Sequence, residues 1–150
     1  MSDLKADLNR QLNEAHSKYV YYLLAVAAAA IGFAVHRSSG QVIEWTHSVL
    51  LVAVAFWLGS FAAGCQNRRY FTSTLYANIV LLMGRDGTLP GIPSDPAMKD
   101  AACDGIRKAA EENSNRMNRY GHLQFYLLIC GGLAFLIWHI VEMATTRPIP

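Results

Sequence analysis

Five histidines, His16, His36, His47, His122 and His139, stand where the hydrophobic pattern of this chain changes. His36, His47 and His139 fall at the same-side ends of three apolar runs, with Glu44 and Glu142 close in sequence. Imidazole nitrogens combined with a carboxylate suit a transition metal. His139-x-x-Glu142 adds two such groups on one helical face. The candidate metal set is His36, His47, His139 and Glu142; the plain alternative is that polar aromatic residues simply settle at a membrane interface. His16 and His122 occupy the opposite ends, where proton sensing is the chemical reading and interfacial placement the plain one. Cys65, Cys103 and Cys130 are odd in number and lack CxxC spacing. They give neither a disulfide framework nor a zinc cage, and read as reduced thiols used for packing.

Arg116 and His122 are separated by five residues. That spacing resembles the catalytic motif of HEPN-type ribonucleases, and over these seven residues the resemblance implies catalysis. Read from the residues themselves, Arg116 and Arg119 form a cationic collar beside an apolar run, as Arg68 and Arg69 do elsewhere. No Walker loop, glycine-rich dinucleotide turn, nucleophile elbow or HExxH helix is present, so the chain reads as a non-enzyme with no implied cofactor. The net charge is only +2, and the basic residues form no stripe that could track a phosphate backbone. Nucleic acid is excluded as a primary partner.

The elements that must position these residues are membrane helices. Residues 19–35, 48–65 and 123–141 carry 17, 18 and 19 consecutive residues free of Lys, Arg, Asp and Glu. A crossing helix needs about 20 apolar residues, with a range of about 17–25. We assign spans at 19–35, 48–65 and 122–143. Tyr19, Tyr21 and Tyr22 suit one interface, and Trp45 and Trp138 the other. The first span reads as retained, because Asp3, Asp7 and Glu14 in its leading region do not fit a short basic signal sequence.

Eleven Lys and Arg residues lie in 1–18 and 66–121, against Arg37 in the connection 36–47 and Arg147 in the tail 144–150. The positive-inside rule therefore places the N-terminus and residues 66–121 in the cytoplasm, and the C-terminus outside. Alanine-rich spans and compact loops suit a bacterial inner membrane.

Tyr70–Met83 is apolar but too short to cross. Phe71, Leu75, Ile79 and Leu82 form a helical stripe, with Asn67, Thr74 and Asn78 away from it. Span two is thus expected to continue as a stalk. Residues 84–96, rich in glycine and proline, break it; Ser94 or Asp95 caps the next helix, with Pro96 in its first turn. That helix runs on into span three, which makes 66–121 a cytoplasmic helical hairpin. At the N-terminus Leu4, Leu8, Leu12, Ala15, Tyr19 and Tyr22 share one face. Residues 1–18 then form an amphipathic extension of the first span, expected to lie against the hairpin, the alternative being an interfacial helix on the lipid surface. The fold class is an all-α integral membrane protein.

Gly59, Ser60, Ala63 and Gly64, with Gly131 and Gly132, would allow close helix approach within one chain or between copies. Span interiors without Lys, Arg, Asp or Glu argue against an ion-coupled transporter. The layout resembles small bacterial membrane effectors of the SLATT type, with an entering helix, close spans and a cytoplasmic extension; the third span departs from their two-span pattern. Two functions follow as expectations. One is a self-associating, channel-like or membrane-perturbing effector regulated by its cytoplasmic helices. The other is a non-catalytic anchor or accessory subunit that docks a cytoplasmic protein through Phe71, Leu75, Ile79 and Leu82. The partners expected are the lipid bilayer, a second copy of the chain and that cytoplasmic protein.

Overall fold

The computed structural model describes residues 2–39, 47–91 and 95–145, with side chains from residue 7 onward apart from residue 9. Trp45, Glu44, Ser94 and Arg147, and the side chain of Leu4, lie outside the described residues. Among the described residues three helices occur: α1 (Ser2–Ser38), α2 (His47–Asp86) and α3 (Pro96–Thr145). No strand occurs among the described residues, so the chain is all-α.

Each helix is long and apolar enough to cross a membrane. Only 22%, 33% and 11% of their most apolar windows are buried inside the chain. So much outward apolar surface suits lipid as the surrounding solvent. At 1.5 Å per residue, the 40 residues of α2 reach about 60 Å and the 50 of α3 about 75 Å. A hydrocarbon core is about 30 Å thick, so both helices exceed it about twofold or more.

The chain divides into two compact units, Met1–Gly64 with Gly121–Pro150, and Cys65–Tyr120. In the first unit the buried positions recur mostly at steps of three, four and seven. They are Val20, Leu23, Ala27 and Ala34 on α1; Leu50, Ala53, Trp57, Ser60, Ala63 and Gly64 on α2; Gln124, Gly131 and Trp138 on α3. A mean period of 3.5 marks a coiled-coil-like seam, in which each helix keeps one face inward as it winds. Ala34, Leu50, Ala53, Trp57 and Trp138 form its core. Phe135 packs between the indoles of Trp57 and Trp138, with centroids 5.7 and 5.4 Å away.

Trp138 is therefore a core residue, 1% exposed, and not the interfacial anchor expected of it. It lies seven residues after buried Gly131, hence on the same seam. The stripe Leu8, Leu12, Ala15, Tyr19 and Tyr22 is exposed throughout. Burial on α1 begins with Val20, on a different face. Cys65 and Cys130 are exposed free thiols rather than packing residues, and Cys103 is half-buried.

In the second unit, Phe71 and Ala110 are buried, and Asn67 is a buried polar residue whose Nδ2 donates to the Met117 carbonyl at 2.7 Å. The inward face of α2 here begins at Asn67, Phe71 and Thr74, while Ile79 and Leu82 point outward. This corrects the expected stripe. Sorting by polarity pushed Asn67 and Thr74 outward, but Asn67 satisfies its amide on α3, and the hydroxyl of Thr74 donates to the Tyr70 carbonyl.

α2 continues past Gly84 to Asp86, because the left-handed residue is Gly87, with φ 72°. The Thr88 amide then donates to the Met83 carbonyl at 3.0 Å, which closes a Schellman-type end. The Lys99 ammonium adds a bond to the free Arg85 carbonyl at 2.9 Å. Asp95 begins α3: its Oδ1 accepts from the amides of Ala97 at 2.8 Å and Met98 at 3.4 Å, with Pro96 as the first helical residue.

Candidate functional site

On α3, Glu112, Asn115, Arg116, Arg119 and Tyr120 recur at steps of three, one, three and one, so they share one face. They line a concavity of about 430 Å³ in the second unit. Arg116 is its most constrained member. One guanidinium nitrogen donates to Glu112 at 2.6 Å and another to the Tyr70 hydroxyl at 3.4 Å. The same guanidinium lies 5.8 Å from the centre of the Tyr70 ring. Tyr70 in turn stacks on Tyr120, with centroids 5.5 Å apart and planes 10° from parallel. The Tyr70 hydroxyl first, and Glu112 second, raise the Arg116 pKa above the ordinary guanidinium value, so its charge is permanent. Arg119 is exposed and has no ionic or hydrogen-bonding partner among the described residues.

The other cations expected at a membrane boundary are held differently. Arg68 lies over the Phe71 ring at 5.2 Å, whereas Arg69 is exposed. Arg116 of the Arg-x5-His spacing is committed to Glu112 and Tyr70, and His122 is exposed.

A second polar feature lies inside the first unit. The Ser60 hydroxyl donates to the Gln124 carbonyl at 2.8 Å, and both residues are fully buried. Neither the nitrogen nor the oxygen of the Gln124 side chain has a hydrogen-bond partner among the described residues. That amide packs over Gly64, where a Cβ would stand 2.6 Å from Nε2 and 2.7 Å from Leu24.

The predicted metal residues do not assemble. Among the described residues no group of three or more His, Cys, Asp or Glu could hold a metal ion. Glu142 pairs with Arg37 at 3.7 Å, the His139 ring stacks against Phe135, and His36 is exposed. His47 lines an apolar groove of about 410 Å³ with Ala34, Leu50 and Val54. Shared position at helix ends thus fails to become shared space, because an i,i+3 pair such as His139 and Glu142 can be drawn to different neighbours. No family model, curated protein or solved structure matches this chain.

The predicted small residues divide sharply. Ser60, Ala63, Gly64 and Gly131 lie inside the seam, and Gly59 approaches Leu127. Gly132 has nothing within 4 Å of a Cβ position. Of the predicted coupling residues, Phe71 is buried, Leu75 half-buried, and Ile79 and Leu82 exposed. Sequence reasoning passed over Gln124, Asn115 and the Tyr70–Tyr120 stack. The seven-residue steps from Gln124 to Gly131 and Trp138 were the available signal for the first.

Proposed function

We propose that this chain is a non-catalytic anchor of a bacterial inner membrane, with three spans, a cytoplasmic N-terminus and hairpin, and an outer C-terminus. Its α2 stalk docks a cytoplasmic protein. The observation that carries this reading is the outward apolar ridge of Tyr76, Ile79, Leu82 and Met83, exposed by 69%, 56%, 60% and 37%. These residues follow Arg68 and Arg69, beyond the stretch that lipid would cover, so water is their alternative solvent. Covering them releases apolar surface worth about 25 cal/mol per Å². Trp57, Trp138 and Phe135 fill the core of the first unit, which suits an anchor better than a pore through one chain.

A photo-crosslinking amino acid in place of Ile79 tests the docking surface in intact cells. One discrete adduct with another protein, absent when the probe replaces exposed Glu111, is expected. An adduct only with a second copy would replace this reading by the next one, and no adduct at all would remove the docking surface.

The second reading is a self-associating, channel-like effector. It is favoured by Gly32, which lies open on α1 beside exposed Ala25, Ala28 and Ala29, and by open Gly132. Small residues left uncovered offer a close-approach surface to another helix in lipid. Mass determination in mild detergent with an ion-leak assay in liposomes decides it: a stable monomer without leak sinks this second reading.

A further inference from the structure

We propose that the α3 face formed by Asn115, Arg116, Arg119 and Tyr120 binds a phosphodiester, favoured as the headgroup of an anionic lipid. The inference rests on the reading above, in which span three begins at residue 122.

The face has the parts that such a ligand needs. Its concavity of about 430 Å³ falls within the range of small-molecule sites, about 300–1,000 Å³. Arg116 and Arg119 stand at i and i+3, so their guanidinium groups converge on one side of the helix. A guanidinium fork offers paired N–H donors in the geometry that phosphate oxygens accept. Asn115, the residue before Arg116, adds a neutral amide donor on the same wall. Arg116 is already immobilised by Glu112 and the Tyr70 hydroxyl, which reduces the entropy lost when a ligand arrives. Arg119 retains all its donors, without a partner among the described residues.

Charge selects the ligand. Arg116 and Arg119 oppose the single carboxylate of Glu112, which leaves the face one net positive charge. A phosphodiester carries one negative charge and neutralises it, whereas a phosphomonoester or pyrophosphate brings an excess beside Glu112. Depth selects the source. Arg119 lies three residues and Arg116 six residues before residue 122, or about 4.5 and 9 Å along a helix. The headgroup layer adds about 5–7 Å on each side of the hydrocarbon. The Arg119 backbone therefore lies within that layer, and the Arg116 backbone about 2 Å beyond it, a distance that a guanidinium side chain spans.

The test uses the full chain in lipid nanodiscs, with the anionic diester lipid phosphatidylglycerol in a phosphatidylcholine background. Native mass spectrometry after release into detergent counts lipids that remain bound. One retained phosphatidylglycerol is expected, and Arg119→Gln should lower its retention about tenfold, the scale of one charge-assisted hydrogen bond. Arg107→Gln removes the same charge from α3 at a residue already paired with Asp104, and should leave retention unchanged. Arg119→Lys, which keeps the charge and loses the fork, should fall between them.

Equal losses in Arg119→Gln and Arg107→Gln would overturn the site, since they would indicate diffuse attraction to net charge. Retention unaffected by either variant would overturn it as well. Glycerophosphoglycerol, the soluble headgroup diester, separates the sources: protection of detergent-solubilised protein by this compound alone, lost in Arg119→Gln, would retain the diester site and reject lipid as its source. Inorganic phosphate should protect less than the diester, and equal protection would overturn the charge-matching argument. Resistance to alkaline extraction, measured in parallel, distinguishes the failures. An inserted chain indifferent to Arg119→Gln loses the site alone; a chain that is extracted loses the span reading and the site together.

Discussion

Trp57 occupies the space that Gly131 leaves on α3: a Cβ at that glycine would come 2.5 Å from the indole Nε1 and 2.6 Å from Cδ1. A rigid ring cannot give way as a flexible chain does, so Gly131→Ala should destabilise by about 1–3 kcal/mol through overpacking. Gly132→Ala, one residue on, meets nothing within 4 Å and should be neutral or slightly stabilising. Thermal unfolding of the two variants in one detergent compares them directly. Equal behaviour would show that the seam has another face. Gln124 makes the opposite case. Its buried amide is without a partner among the described residues, while its carbonyl, bonded by Ser60, is backbone and survives substitution. Gln124→Met keeps the length and removes the polar atoms, and should stabilise by about 1–3 kcal/mol. A loss of stability would mean that the amide is satisfied by a group beyond the described residues.

At the scale of elements, the two helix ends that enclose residues 87–95 rest on single residues. Asp95→Ala removes the acceptor for two α3 amides and should cost about 1 kcal/mol. Hydrogen exchange should show lost protection in the first turn of α3 and little change at Ala110. The start of α3 was legible in sequence, because turn chemistry is local and Asp–Pro marks a start; the break expected from Gly84 falls instead at Gly87, whose positive φ singles it out among the glycines of that stretch. The three apolar helices were legible for the same kind of reason, since a run without charge needs no partner to be recognised. The inward face of α2 was not. Asn67, read as outward on polarity, is buried because a carbonyl on α3 meets it, and that carbonyl is fifty residues away in sequence. The metal set failed likewise: helix ends fix depth, and they leave azimuth to packing.

At the scale of the whole molecule, the charge asymmetry of eleven against two predicts one orientation. A reporter that works only outside the cytoplasm, fused after Pro150, should be active. Activity from a cytoplasm-dependent reporter at that point would invert the topology and move the α2 ridge and the Arg119 face away from their proposed partners. Within that topology the proposed diester face was only half legible: its arginines were visible as a collar. What distinguishes Arg119 from Arg116 is the bond from Arg116 to the Tyr70 hydroxyl, forty-six residues away in sequence, which no spacing rule supplies.

The three free thiols, Cys65, Cys103 and Cys130, amount to a ruler already built into the chain. A charged maleimide does not enter hydrocarbon, so it alkylates a thiol only where water reaches the sulfur. Cys130, exposed and in the middle of the proposed third span, should resist a charged maleimide in intact membranes and react once detergent replaces the lipid. Cys103, half-buried but beyond the spans, should react slowly in both conditions. Cys65, exposed at the last position of the proposed span two, would read the level at which lipid gives way to water. Its labelling rate, set between those limits, turns membrane depth into a number obtainable from the unaltered protein.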